Sequence, residues 1–166
     1  FGVFDIDLNQ GQHTPMFTSS FHYAGNEDLD KITAFGTGSE PAASIDWSAD
    51  QSEQLIATYW YVPYNIQIDE VRYMAYHSDT GAITTNFWLF SYALDSTTNH
   101  GDLSDGTKIA SATGVEPINT KMYTGTLSLE GTTTVSAGRI VMCFIEEVDS
   151  TANEASAKLI VKYHVV

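Results

Sequence analysis

Residues 86–94 read NFWLFSYAL, and they do not alternate. Side chains on a strand point to opposite faces in turn, so Trp88, Phe90, Tyr92 and Leu94 share one face, and Phe87, Leu89, Ser91 and Ala93 share the other. Both sets are apolar or small. The same holds for RIVMCFIEE at 139–147, where Ile140, Met142 and Phe144 oppose Val141, Cys143 and Ile145, and for KLIVKYHVV at 158–166. A two-layer sandwich needs only one apolar face per strand. Helices could wrap a sheet on both sides, but no long stretch of this chain has helical periodicity with caps. Three covers remain: a closed barrel with an outer layer, the first 50 residues folded over a sheet, or another subunit.

The rest of the chain reads as many short strands, rich in Thr, Tyr, Phe, Val and Ile and punctuated by Gly, Asn, Asp and Ser. The candidates are 2–8, 16–23, 31–35, 55–62, 67–77, 83–94, 107–112, 121–129, 133–135, 138–147 and 157–166. The strand at 55–62 stops at Pro63, which cannot donate to a ladder. Residues 24–54 read as long loop, with one helical turn near 50–54, and 95–106 as a polar loop. No internal repeat is present. Residues 1–50 therefore read as an N-terminal arm or extra layer, and 51–166 as an all-β sandwich domain.

Charge narrows the partners. Seven Lys and Arg stand against 21 Asp and Glu, for a net charge of −14 in 166 residues. Such a chain repels phosphate backbones and anionic bilayers, which excludes nucleic acid and membrane insertion from the expectations. The apolar runs are far shorter than a membrane span, and no signal-peptide pattern is read at Phe1. The single cysteine, Cys143, excludes an intrachain disulfide and sits where a small apolar residue is wanted.

Residues that carry chemistry do not assemble into a site. The loop beginning at Asp95 places Thr97 third and His100 sixth, where a helix–loop–helix calcium site wants an acid or amide and then Gly. Glu146 and Glu147 are strand neighbours and face opposite ways, so they cannot act on one substrate together. They read as the strand's exit into solvent. His13, His22, His77, His100 and His164 have no metal-ligand spacing, and no phosphate loop or nucleophile elbow is present. The expectation is a protein that is not an enzyme and needs no metal or organic cofactor. Nine Tyr, eight Phe and three Trp, including Tyr59, Trp60 and Tyr61 in succession, offer core packing, interface anchors or sugar-stacking platforms.

The block IATYWYVPYNIQIDEVRYMAYH, an aromatic strand ending at Pro and followed by an I-x-x-V strand, resembles the entry of jelly-roll domains in tailed-phage virion proteins. LEGTTTVSAGRIVMCFIEE is similar to their late element, a strand turning at Ala-Gly into a long apolar strand. The layout also recurs in trimeric tumour-necrosis-factor-like jelly rolls. The resemblance covers about residues 55–166 and rests on strand-and-turn texture. It implies a jelly-roll β-sandwich in a virion: a head-decoration or cement subunit, or a fibre head, located on the extracellular particle. It also implies a homotrimer that contacts other virion proteins. The alternative is a lectin-like module at a fibre tip that binds a host-surface glycan.

These readings give a specific expectation for NFWLFSYAL. Trp88, Phe90, Tyr92 and Leu94 carry more apolar volume and should face the sandwich interior. Phe87 and Leu89 should then lie at an oligomer interface, with Ser91 and Ala93 allowing close approach. The rival is intramolecular: residues 1–50 fold back with Phe4, Phe17 and Phe21 as the cover.

Overall fold

A computed structural model describes residues 1–6, 10–18, 35–36, 38–46, 56–77, 83–95, 101–116, 121–149 and 155–166, with backbone alone for 3–6. Two antiparallel sheets pack face to face. The first contains β1 (Gly2–Ile6), β4 (Ile66–His77), β7 (Tyr123–Thr126), β9 (Thr134–Val135) and β11 (Ala155–Val165). Its order is β1-β11-β4-β7, with β9 also on β4. The second contains β2 (Thr14–Pro15), β3 (Trp60–Tyr61), β5 (Thr85–Leu94), β6 (Leu103–Val115), β8 (Ser128–Leu129) and β10 (Arg139–Glu147). Its order is β2-β10-β5-β6-β8, with β3 also on β10. A 3-10 turn lies at Ile56–Thr58. The all-β sandwich expected from the sequence is the fold.

The register of β5 on β10 explains the missing alternation. Phe87 pairs with Ile145, Leu89 with Cys143 and Ser91 with Val141 on one face. Trp88 pairs with Phe144, Phe90 with Met142 and Tyr92 with Ile140 on the other. Two strands apolar on both sides thus lie side by side, and the centre of the second sheet has two faces to bury. The first face meets the first sheet: Phe87, Leu89, Val141, Cys143 and Ile145 pack with Ile66, Ile68, Val71, Ala75, Ala157 and Leu159. The Tyr73 ring stacks flat on Phe87, with centroids 4.9 Å apart and planes 11° off parallel. The second face belongs to a separate core in which Trp88, Phe90, Tyr92, Leu103, Ile140, Met142 and Phe144 meet Phe35 and Ile45.

The face assignment made from volume is therefore reversed. Phe87 and Leu89 point into the sandwich interior, and Trp88, Phe90 and Tyr92 lie on the sheet's outer side under a cover. Leu94, grouped with them, is 39% exposed at the strand end. The larger set went outward because the interior also has to admit Tyr73 and the β4 and β11 aliphatics. The bulkier aromatics found room under a separate lid.

That lid is the segment 35–46, which the sequence reads as loop. Ile45 and Leu103 exchange backbone hydrogen bonds at 2.7 and 2.9 Å, Gly106 N donates to Ala43 O at 2.7 Å, and Ala42 N to Phe35 O at 3.0 Å. The Phe35 ring sits 4.9 Å from Phe144. The cover thus comes from the first 50 residues, but on the opposite face and through other residues than expected. Phe17 is half-buried and bridges Gly2, while Phe21 and the Phe4 side chain lie outside the described residues.

Several strand boundaries move. Of the 55–62 candidate, described from Ile56 onward, only 60–61 is strand, and 121–129 breaks at Leu127, where the chain leaves the first sheet for the second. The polar loop 95–106 already contains the start of β6; next to the strand expected at 16–23, Thr14–Pro15 pair as β2 and Phe17 forms a single bridge to Gly2, while residues 19–23 lie outside the described residues. The turn expected near 50–54 and the candidate residues 31–34 lie outside the described residues. A bulge at Asp69 shifts the β4 register between Glu70↔Lys162 and Ile68↔Tyr163. It flips the parity of the strand, so that Ile66 and Ile68, then Val71, Tyr73 and Ala75, all face inward.

Candidate functional site

Of the four residues expected at an oligomer contact, Phe87 and Leu89 are fully buried within one chain. Ser91 is buried as well, and Ala93 is half-buried. Arg139, opposite Ala93, determines their surroundings. Its Nε donates to Ser91 Oγ at 3.2 Å, and its Nη2 donates to the carbonyls of Ser91 at 2.9 Å and Asp105 at 2.6 Å. The guanidinium ties β5, β6 and β10 together at that end of the sheet. These four residues are packing and clamping positions and present no open row.

The opposite end of β10 gathers the polar groups. Glu146 and Glu147 face opposite ways, as the strand period requires, but neither leaves the protein: both are buried. On the outer side, Asn86 Nδ2 donates to Glu146 Oε2 at 2.8 Å, and Asn86 Oδ1 accepts from Gly114 N at 2.8 Å. The His13 ring lies edge-on to Trp88, with centroids 4.9 Å apart. Its Nδ1 bonds Gly36 O at 2.8 Å, which fixes the proton on Nδ1, and its Nε2 is 3.9 Å from Glu146 Oε1. On the inner side, Thr85 Oγ1 and His77 Nε2 are 3.1 Å apart, and the His77 ring lies over Tyr123 with centroids at 6.2 Å. Burial, then the charges of Tyr73 and Glu147, push the Tyr123 hydroxyl well above its usual range, against a hydrogen bond from Thr85.

Asn86 offsets the burial of Glu146, and Thr85 and His77 bond each other across the sheets, while His13 Nε2 has no hydrogen-bond partner among the described residues. The two half-sites are separated by the β10 backbone, so Glu146 and His13 on one side and Glu147, His77 and Tyr123 on the other do not converge on a common space. Their visible work is structural: His13 joins the lid at Gly36 to the second sheet, and His77 joins the two sheets. The Cys143 thiol lies in the interior, and burial pushes its pKa up and away from nucleophilic use. Among the described residues, no group of three or more His, Cys, Asp or Glu is placed to hold a metal ion. No described helix is long and apolar enough to cross a membrane.

The surface that sequence reasoning missed is the outer face of the first sheet. KLIVKYHVV reads as apolar on both sides, yet only one side is covered. Leu159 is buried, whereas Lys158, Ile160, Lys162 and His164 are exposed. Across the ladder, Lys158 pairs with Met74, Ile160 with Arg72 and Lys162 with Glu70. Met74 and Tyr76 are 38% and 37% exposed, and Ile160 is 48% exposed. Thr124 and Thr126 of β7 continue the same face beside Met74 and Arg72. The signal was present as cations spaced four apart in β11, but apolar neighbours masked it.

A second exposed feature is aromatic. The Tyr163 ring, about half exposed, lies 5.0 Å from Trp60 with the planes tilted by 53°, and the Phe1 ring is 6.3 Å from Trp60. No protein-family model, curated protein or solved structure matches this chain.

Proposed function

We propose that this chain is a non-enzymatic structural subunit that acts through protein–protein contacts, of the kind that decorates a virion head or forms a fibre head. The observation that carries the reading is the contrast between the two sheets. The centre of the second, β5 and β10, is buried on both faces, and the ionisable groups there serve packing. The first leaves a broad face of interleaved cations and apolar side chains open to solvent. Rigid sandwiches with one such face suit docking rather than turnover.

Within this reading the sandwich is a jelly roll that works as a homotrimer on an extracellular particle, against other virion proteins. The repeated passage from one sheet to the other, at β4 to β5, β6 to β7 and β10 to β11, supports that topology. Light scattering on the intact chain tests the assembly state. The expected mass is about three times 18.2 kDa, and a monomer at all accessible concentrations rejects the trimer. Electron microscopy of the source particle, with the subunit tagged, tests its location.

The aromatic ledge of Trp60 and Tyr163 favours a second reading, a glycan-binding fibre tip, because exposed aromatic faces stack on sugar rings. A glycan array separates the two. Retained sugars that are lost on Tyr163→Ala select the lectin, and an empty array selects the structural subunit.

A further inference from the structure

We propose that the outer face of the first sheet is the surface by which one copy of this chain seats on the acid-rich surface of a second copy. The inference rests on the structural-subunit reading and names the contact it uses.

Charge is the first argument. The whole chain has one Lys or Arg for every three acids. On this face the ratio reverses: Arg72, Lys158 and Lys162 stand against Asp69 and Glu70. Arg72 Nε is bonded to Glu70 at 2.7 Å, and Asp69 to His164 at 2.9 Å. Lys158 and Lys162 have no carboxylate within ion-pair distance among the described residues. Elsewhere Lys121, just ahead of β7, is also exposed and has no carboxylate within ion-pair distance among the described residues, whereas Lys108 and Arg139 are engaged. Lys108 lies between Glu40 and Glu130, and Arg139 is held by backbone carbonyls. Lys108 is accordingly held above its usual pKa, chiefly by its hydrogen bond to Glu40. Two of the three unpaired cations among the described residues, Lys158 and Lys162, are thus on the face that also exposes Met74, Tyr76 and Ile160.

The second argument concerns where the complementary charge lies. The Ile45–Leu103 bridge brings Asp46 beside Asp102, and Asp95 N donates to Asp102 O at 2.7 Å. These acids sit with the lid and β6, on the other sheet. A contact between the two surfaces joins different patches on the two copies, so it is head-to-tail and closes into a ring or runs on as a chain. Screening makes it compatible with the net charge. At physiological salt, repulsion is damped beyond about 8 Å, while pairs in contact keep most of their attraction.

Sedimentation velocity on the full chain at physiological salt, across a wide concentration range, tests this on three proteins: wild type, K158E/K162E and Ile160→Thr. All substitutions are at exposed strand positions, and thermal melts followed by circular dichroism verify that each variant is folded. The expected result is a wild-type oligomer whose association weakens by about tenfold or more in K158E/K162E, where like charges meet, and measurably in Ile160→Thr. A wild-type oligomer unchanged in both variants overturns this face as the contact and leaves the structural-subunit reading standing. A wild-type monomer throughout overturns both the contact and the trimer.

Discussion

The Tyr92 hydroxyl donates a hydrogen bond to the carbonyl of Ala42 at 3.0 Å, linking the outer side of the second sheet to a segment 50 residues earlier in the chain. The ring lies among Phe90 and Phe144, and the bond holds the lid where those aromatics need it. Tyr92→Phe keeps the ring and removes the donor, leaving the Ala42 carbonyl without this partner. The expected loss is about 1–2 kcal/mol in urea unfolding. A change near zero would show that the lid is held by packing alone.

Both faces of β5 are buried, so truncation on either side should be severe. Phe87→Ala opens the inter-sheet core and Phe90→Ala the core under the lid, and each is expected to cost about 3–5 kcal/mol. Chemical denaturation of both variants provides the measurement. A Phe90→Ala loss under about 1 kcal/mol would mean that the lid collapses into the space or contributes little burial.

Gly106 marks the closest approach of lid and sheet. A Cβ there would stand 2.7 Å from both Ala43 Cα and the Tyr92 ring. Neither the backbone nor a packed ring can yield easily, so Gly106→Ala is expected to lose about 1–3 kcal/mol. Limited proteolysis should show faster cleavage in residues 35–46 of the variant than of the wild type. Equal cleavage rates would place the strain elsewhere.

Three buried acids should resist alkali. Tyr92 and Tyr123 are held above the ordinary value of 10.0, and Cys143 above 9.0, in each case chiefly by burial. A raised folded pKa means that the folded state keeps its proton where the unfolded state has lost it. The contribution to stability is full below the unfolded value and declines as pH rises past it toward the folded one. Stability should therefore fall above about pH 9–10. Tyrosinate absorbance should show two of the nine tyrosines ionising only with unfolding, and Cys143 should react with a thiol reagent only at the unfolding rate. Prompt ionisation of every tyrosine in the folded protein would contradict the burial of both rings.

The sequence by itself determined the class of fold and the central difficulty. Alternation, turn residues and absent helical periodicity specify strands, and the two-sided apolar runs at β5 and β10 require two covers, because strand period alone assigns each side chain to a face. It also placed Glu146 and Glu147 on opposite faces for the same reason. Which face is interior was decided only by the tertiary structure. Phe87 and Leu89 pack inward because the β5–β10 register sets them against Cys143 and Ile145 and under Tyr73, contacts that lie tens of residues apart. The lid was hidden because residues 36–46 read as polar loop with Ile45 as an isolated apolar residue, and the lid's place depends on backbone bonds to Leu103 and Gly106. Burial of Glu146 likewise depends on Asn86 of β5 and on His13 just ahead of β2. Local pattern fixes where a side chain points, and long-range pairing fixes what it meets there.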